Sequence, residues 1–168
     1  MVEKLFRINN KIVVITGAGG FLGKFYSEAI IQSGGFPIML DINYSELKKF
    51  KKKNKNQCDI YRCDITNERN IRDISDKIYK KYQKIDALVN NAANNPKVGK
   101  ESSHKFTRLE NFSLREWQKD LSVNLTGAFL TSKYFGTLIS KNKNGGVIIN
   151  ISSDLSLIAP DQRIYKKN

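Results

Sequence analysis

The strongest constraint on the fold is a β-branched run that leads directly into a glycine-rich turn. Residues Lys11–Thr16 read KIVVIT, which is typical of a buried strand, and the turn that follows places glycines at positions 17, 20 and 23. A helical pattern over Phe21–Ser33 comes next. In such a strand–turn–helix unit, the absent side chains let backbone N–H groups approach a pyrophosphate, and the helix N-terminus stabilises its negative charge. The turn therefore predicts a dinucleotide-binding unit.

The rest of the chain alternates apolar, β-branched runs with longer segments of helical spacing. This alternation indicates a parallel sheet with helices on both faces. We expect an α/β fold, a Rossmann-type doubly wound parallel sheet of strand order 3-2-1-4-5, with residues 1–168 forming one domain. The predicted strands are Lys11–Thr16, Phe36–Asp41, Gln57–Cys63, Ile85–Asn90 and Gly146–Ser152, and the predicted helices are Phe21–Ser33, Tyr44–Lys53, Asn67–Tyr82 and Ser113–Ser140.

An acidic residue ends the second predicted strand. Asp41 follows Gly23 by 18 residues, which is near the spacing of a ribose-binding carboxylate. A carboxylate at this point accepts hydrogen bonds from both ribose hydroxyls and repels a 2′-phosphate, so NAD is favoured over NADP. Lys24 and other nearby basic residues leave NADP open. The competing interpretation treats the glycines as a tight packing turn and Asp41 as an ordinary strand end.

Charge and hydropathy narrow the classes of partner. Lys and Arg number 29 against 16 Asp and Glu, which gives a net charge of +13, with the densest basic cluster at Lys48–Lys55. No recognised DNA or RNA module accompanies this charge, so the sequence does not favour nucleic-acid binding. No apolar run approaches the roughly 20 residues that span a bilayer, and the N-terminus lacks a secretory pattern. We therefore expect a cytoplasmic protein with no membrane partner.

The residue types that bind metals are scarce. The chain has two cysteines, Cys58 and Cys63, and one histidine, His104. An odd spacing within a strand sends the two thiols to opposite faces, so we expect no disulfide between them. The sequence provides no case for a structural metal site, and His104 is expected in a solvated loop within the polar insertion Ala93–Phe112.

The longest predicted helix begins with a capping-box pattern, Ser113 followed by Glu116. Apolar residues recur along it at helical spacing, and we expect this stripe to be core or partner interface. Its members are Trp117, Leu121, Leu125, Ala128, Phe129 and Phe135.

Together these motifs resemble the short-chain dehydrogenase/reductase family, from Lys11 to at least Asp154. The matching motifs are TGAGGFLG, the acid ending strand two, an acid after strand three, Asn-Asn-Ala-Ala after strand four, an asparagine in the long helix and a serine after strand five. Ala93 departs from the family's usual glycine. The resemblance implies cofactor-binding roles for Thr16, Gly17, Gly19, Gly20, Phe21, Leu22, Gly23, Asp41, Asp64, Ile65, Asn91, Ala92 and Ala93, and catalytic roles for Asn124 and Ser153.

By the same resemblance, Asp64 would contact the adenine ring, Asn124 would support a proton-relay water, and Ser153 would bond the substrate oxygen. For the last two, a helix-kink residue and a turn residue are the alternatives. The implied activity is that of an NAD(P)-dependent oxidoreductase that interconverts an alcohol and a carbonyl on a small molecule, such as a sugar or sugar nucleotide. Relatives pair through the helix that carries this asparagine, so the resemblance also implies a homo-oligomeric parent enzyme.

Family members transfer the proton through a tyrosine that is followed four residues later by a lysine. No such pair follows Ser153, because the only later tyrosine, Tyr165, lies three residues from the last position. The segment DLSLIAPDQRIY resembles a subset linked to bacterial surface-sugar or flagellin modification, in which this tyrosine is a loop residue. We therefore expect a fragment or interrupted frame of a longer enzyme, catalytically incomplete as it stands. The alternatives are a non-catalytic nucleotide-binding or regulatory protein and a basic nucleic-acid-associated module.

Overall fold

The computed structural model describes residues 5–94, 109–154 and 157–158. Within these ranges the chain forms a parallel sheet of order β3-β2-β1-β4-β5, which confirms the predicted strand order. The strands are β1 Ile12–Thr16, β2 Phe36–Asp41, β3 Asp59–Arg62, β4 Ala87–Asn90 and β5 Val147–Asn150. The α-helices are α1 Phe21–Gln32, α2 Tyr44–Lys53, α3 Glu68–Tyr82, α4 Leu114–Leu121 and α5 Ala128–Ile139, with a short 3₁₀ turn at Leu109–Asn111 and a π-helical segment at Ser122–Gly127.

The core lies on both faces of β1, whose five residues are all buried. Alternate side chains of a strand point to opposite faces, so Val14 packs with helices α3 and α5 while Val13 and Ile15 pack with α2. Cys58 belongs to the second cluster and Cys63 to the first. The two thiols therefore lie on opposite faces of the sheet, as predicted, and both cysteines are free.

The predicted bounds hold for β2 and α2, whereas strands β3, β4 and β5 are each shorter than predicted. The largest difference concerns the single long helix predicted over Ser113–Ser140. A π-helical segment interrupts it, so the observed order is α4, the π segment and then α5. The predicted N-cap is confirmed, because Ser113 Oγ accepts a hydrogen bond from the Glu116 N–H at 3.2 Å.

The apolar stripe of this helical region belongs to the core only at one end. Phe135 is fully buried, but Trp117, Leu125 and Phe129 are more than half exposed. At the sheet edge, β5 also exposes apolar side chains. None of the described helices combines the length and apolar character needed to cross a membrane.

Several residues named from the sequence lie outside the described ranges. These are His104 and most of the polar insertion around it, and Tyr165 with most of the segment that leads to it.

Candidate functional site

The predicted cofactor residues follow the carboxyl ends of neighbouring strands. The glycine turn leaves β1, Asp41 ends β2, and Asn91–Ala93 follow β4. In a parallel sheet these ends lie at one edge, which is where ligands bind in open α/β folds. The strand order therefore brings together residues that stand up to about 75 positions apart in sequence.

Glycine is required at two points of the turn after β1. Gly17 has a φ of +63°, and a Cβ there would lie 2.7 Å from the Ala92 Cα. A Cβ on Gly23 would lie 2.5 Å from the Ala18 Cα. The turn thus packs directly on the loop after β4, and the first turn of α1 packs directly on the glycine turn.

The N-terminus of α1 is open to a ligand. Its N-cap, Gly20, provides no side-chain hydrogen bond, and the first turn contains no acidic residue. The first N–H groups of a helix have no intrahelical acceptor and carry the positive end of the helix dipole. This end of α1 is therefore a suitable place for a phosphate group.

Thr16 and Asn91 join the glycine turn to the loop after β4. Thr16 Oγ1 accepts hydrogen bonds from the N–H groups of Asn91 and Ala92, each at 3.1 Å. The Asn91 side-chain amide donates to the carbonyl oxygens of Thr16 and Gly17 at 3.0 and 3.2 Å. Since Thr16 is only 1% exposed, its hydroxyl acts by fixing these two loops.

The carboxylate of Asp41 turns back toward the glycines. Its Oδ2 accepts from the Gly19 N–H at 2.8 Å, and its Oδ1 accepts from the Asn43 N–H at 2.7 Å. Each carboxylate oxygen has a further lone pair. The side chain is thus held in one orientation and can still accept hydrogen bonds from a bound hydroxyl group.

The acid after β3 is held in a similar way. Asp64 Oδ1 accepts from the N–H and the hydroxyl of Thr66, and the Asp64 N–H donates to Asn70 Oδ1. The preceding Cys63 is buried, and burial raises the pKa of its thiol to about 12. Cys63 is therefore a neutral thiol in the core and adds no charge beside Asp64.

These groups line one cleft of about 550 Å³. Three predicted cofactor residues are not on its wall and instead contact residues that are: Gly19, Gly23 and Thr16. The sequence did not single out Ile42, Thr66, Asn94, Lys119 and Val123 as wall residues. Ile42 could have been found as the neighbour of Asp41, whereas Lys119 reaches the cleft through the packing of α4, for which the sequence contains no signal. The predicted cofactor residues on the wall are Gly17, Gly20, Phe21, Leu22, Asp41, Asp64, Ile65, Asn91, Ala92 and Ala93.

Both predicted catalytic residues line an adjoining cleft of about 790 Å³, whose wall shares Leu22, Ile65 and Asn91–Ala93 with the first cleft. Asn124 lies in the π-helical segment, and its Oδ1 accepts from the Asn94 N–H at 2.8 Å. Ser153 Oγ donates to the Asp154 carboxylate at 3.0 Å. The structure therefore places Asn124 and Ser153 on the wall of one cavity, beside the cleft that the glycine turn forms.

Asn94 connects these parts of the wall. Besides its N–H bond to Asn124, its side-chain amide donates to Asp120 Oδ1 at 2.6 Å. The loop after β4 is thereby anchored to α4 and to the π-helical segment at once. Neither Asn94 nor Asp120 was a candidate from the sequence, because their partners lie about 30 residues away along the chain.

A second polar cluster lies between β4 and β5. The Asn90 side-chain amide donates to Asn150 Oδ1 at 2.8 Å and to Ser132 Oγ at 2.9 Å, and its Oδ1 accepts from the Thr131 hydroxyl at 2.7 Å. These bonds tie α5 to the ends of both strands. Among the residues that the structure describes, no group of three or more His, Cys, Asp and Glu could hold a metal ion.

The chain is similar to one family model and to several known proteins. The family model described as short chain dehydrogenase matches residues 11–165. An NAD-dependent glycerol dehydrogenase of Listeria innocua is 30% identical over 96% of this chain and 60% of its own length. The post-translational flagellin modification protein A of Campylobacter coli is 32% identical over 95% of this chain and 61% of its own.

Among solved structures, an NAD⁺-bound xylitol dehydrogenase superposes with a TM-score of 0.78 at 26% identity, covering 94% of this chain and 58% of that chain. The chain spans about 60% of the length of these curated relatives.

Proposed function

Because this chain belongs to the short-chain dehydrogenase/reductase family, we propose that it binds a nicotinamide dinucleotide, NAD in preference to NADP, in the cleft beside the glycine turn. The observation that carries this proposal is the meeting of the turn, Asp41 and Asp64 on the wall of one cleft of about 550 Å³. The same cleft is edged by apolar side chains that are unusually exposed. Phe21 is 77% exposed and Ile42 60%, and exposed apolar surface of this kind is typical of ligand-binding clefts.

The residues present fit the diphosphate and ribose of such a cofactor. A side chain at Gly17 would collide with the loop after β4, so the backbone stays bare where a diphosphate must approach closely. The open N-terminus of α1 stabilises the negative charge. Asp41, already fixed by two backbone N–H groups, accepts hydrogen bonds from the adenosine ribose.

NAD is preferred in this proposal because Asp41 is an anion. A carboxylate gains hydrogen bonds from two ribose hydroxyls, but it repels the 2′-phosphate of NADP. The Listeria relative is named as NAD-dependent, which supports the same preference here. Asp64 and Ile65 form the part of the wall that would contact the adenine ring.

The adjoining cleft is the proposed substrate region. Its wall is rich in amides and hydroxyls, among them Asn124, Ser152 and Ser153. Such a wall suits a small molecule with several hydroxyl groups, and relatives are named for glycerol, D-threitol and xylitol. We propose a polyol or sugar, whose alcohol and carbonyl forms the parent enzyme interconverts. The bound nicotinamide would supply or take the hydride, Ser153 would hold the reacting oxygen, and Asn124 would hold a water for proton transfer.

These 168 residues contain no Tyr-x-x-x-Lys pair after Ser153. We therefore propose that the chain binds the cofactor but does not complete the reaction by itself, and that the parent enzyme is a homo-oligomer. A chain extended in the C-terminal direction should then turn over a polyol with NAD, and the 168-residue chain should not. Turnover by the shorter chain would contradict this part of the proposal.

Calorimetric titration of the 168-residue chain with NAD and NADH tests cofactor binding. Asp41→Ala should weaken NAD binding by roughly 10- to 100-fold, because a hydrogen bond to a charged group contributes about 1.5–3 kcal/mol. Asp76→Ala, which removes an exposed aspartate from α3, is the matched control and should leave the affinity unchanged. Absence of NAD binding in a folded chain that binds DNA in a salt-sensitive way would overturn the proposal in favour of a nucleic-acid module.

A further inference from the structure

Two lysines converge on one glutamate near the start of α2. Glu46 Oε2 lies 2.6 Å from the Lys24 Nζ, and Glu46 Oε1 lies 2.6 Å from the Lys49 Nζ. Both carboxylate oxygens of Glu46 are therefore engaged by cations. Lys24 comes from α1, directly after the last glycine of the turn, so this ion pair joins the glycine turn to α2.

This cluster lies next to Asp41. A Cβ built on Gly19 would lie 3.1 Å from the Asp41 Cγ and 3.2 Å from the Glu46 Cβ. Gly19 is thus in close contact with both acidic side chains. In the proposed binding mode, a phosphate on the ribose 2′-oxygen would sit beside the Asp41 carboxylate, and the Glu46 cluster would be the neighbouring set of charges.

The charges in this cluster balance as the protein stands. Lys24 and Lys49 provide two positive charges, and Glu46 and Asp41 provide two negative charges. The hydrogen bond from Lys24, then the one from Lys49, lowers the pKa of Glu46 to about 2. The glutamate is therefore ionised throughout the physiological range and always available to the two lysines.

We infer that Glu46 is a second determinant of the preference for NAD over NADP, acting by binding Lys24 so that this cation is not available to a 2′-phosphate. The inference rests on the proposed function and deepens it. Asp41 repels the extra phosphate directly, whereas Glu46 removes the attraction that a lysine beside the glycine turn would otherwise exert. Lys24 alone would favour NADP, and its partner reverses that effect.

The test compares NAD and NADP affinities of the 168-residue chain by calorimetry. Glu46→Gln keeps the size of the side chain, removes its charge and leaves both lysines unpaired. NADP binding should strengthen about fivefold, the factor that one exposed charge interaction contributes. NAD binding should stay within about twofold, since NAD has no 2′-phosphate.

Two further variants assign the effect to Lys24. In Glu46→Gln combined with Lys24→Met, the gain in NADP affinity should disappear. Lys24→Met alone leaves Glu46 and Asp41 opposed by one lysine instead of two, so NADP affinity should not rise and should fall slightly. A gain that survives in the double variant, or a gain of NADP affinity in Lys24→Met alone, would overturn the assignment.

Asp86→Asn is the matched control. Asp86 also binds two lysines, Lys11 at 2.9 Å and Lys84 at 3.2 Å. It directly precedes β4 and so lies at the amino ends of the strands, away from the glycine turn. Freeing these two lysines should not change NADP affinity. An equal gain in Asp86→Asn would show a general effect of net charge and would overturn the inference.

The outcome is separable from that of the proposed function. If the unaltered chain binds NAD and Glu46→Gln does not strengthen NADP binding, the role of Glu46 is wrong and the cofactor proposal stands. If neither nucleotide binds to the folded, unaltered chain, the cofactor proposal is itself wrong. Thermal unfolding of every variant establishes that each comparison is made between folded proteins.

Discussion

At the scale of single residues, two glycines with the same positive φ allow the cost of a left-handed φ to be measured apart from the cost of a steric clash. Gly17 and Gly145 both have a φ of +63°. A Cβ on Gly145 meets nothing within 4 Å, whereas one on Gly17 lies 2.7 Å from the Ala92 Cα and 3.0 Å from the Ala92 N. Both of these atoms belong to the Ala92 backbone, which cannot move aside as the end of a flexible side chain can.

We predict that Gly145→Ala lowers the free energy of unfolding by about 1 kcal/mol, the cost of a left-handed conformation for a residue with a Cβ. Gly17→Ala should cost roughly 1–3 kcal/mol more, because overpacking adds to that strain. Urea denaturation of both variants measures the difference. Equal losses would mean that the glycine turn and the loop after β4 are not packed as closely as the structure has them.

At the scale of elements, the bounds of a helix or strand could be predicted from the sequence wherever one hydrophobic periodicity extends over the whole segment. Strand β2 and helix α2 have the predicted bounds, since each combines a clear apolar pattern with a clear end. The alternation of strands and helices predicts a parallel sheet, and the Rossmann-type strand order expected for it is observed. What the pattern could not indicate is the π-helical segment Ser122–Gly127, because its residues have ordinary helical spacing and its partner, the Asn94 loop, is distant in sequence.

Site prediction shows the same limit. The glycine turn and Asp41 could be singled out as candidates, since their spacing from a strand is that of a nucleotide-binding unit. The pairing of Asp120 with Asn94 and that of Glu46 with Lys24 could not, because each depends on how two helices or loops pack. Asn124 lies on the wall of a cleft, but the bond that holds it comes from the backbone of Asn94, a residue that carries no motif.

The π-helical segment makes a prediction about the loop after β4. Asn124→Ala removes the acceptor for the Asn94 N–H, so that amide should exchange with solvent at least about tenfold faster, equivalent to roughly 1.4 kcal/mol of lost local stability. Hydrogen exchange followed by NMR measures the rate. Ser122→Ala is the control, since that hydroxyl donates to the Lys119 carbonyl in the same helical region. Unchanged exchange at Asn94 would contradict the contact.

At the scale of the whole molecule, basic residues are in excess, so the acidic side chains that pair with lysines matter for stability. Four acidic side chains, Glu46, Asp59, Glu68 and Asp86, each bind at least one lysine and have a lowered pKa. Asp59 joins three elements, because it lies on β3 and binds Lys51 of α2 and Lys81 and Tyr82 of α3. In a chain of net charge +13, protonating these acids removes their attraction to the lysines and also raises the net positive charge, which increases repulsion within the folded chain.

The direction of the pH effect follows from Asp59. Burial by itself would raise the pKa of this carboxyl, but hydrogen bonds from Lys51, Lys81 and Tyr82 outweigh burial and lower the pKa to about 2. The unfolded carboxyl titrates near 3.9. The stabilisation is thus present above about pH 4 and is lost as the pH falls toward about 2, because the unfolded chain takes up the proton first.

Asp59→Asn should therefore lower the free energy of unfolding at pH 7 by on the order of 1–2 kcal/mol. The difference from the unaltered chain should shrink below about pH 4, be mostly lost by about pH 2, where the folded carboxyl is half protonated, and vanish below that. Denaturant titrations at a series of pH values measure both curves. Asp76→Asn, on the exposed side of α3, should show no such convergence, and a constant difference for Asp59→Asn down to low pH would mean that the Asp59 ion pairs do not hold the three elements together.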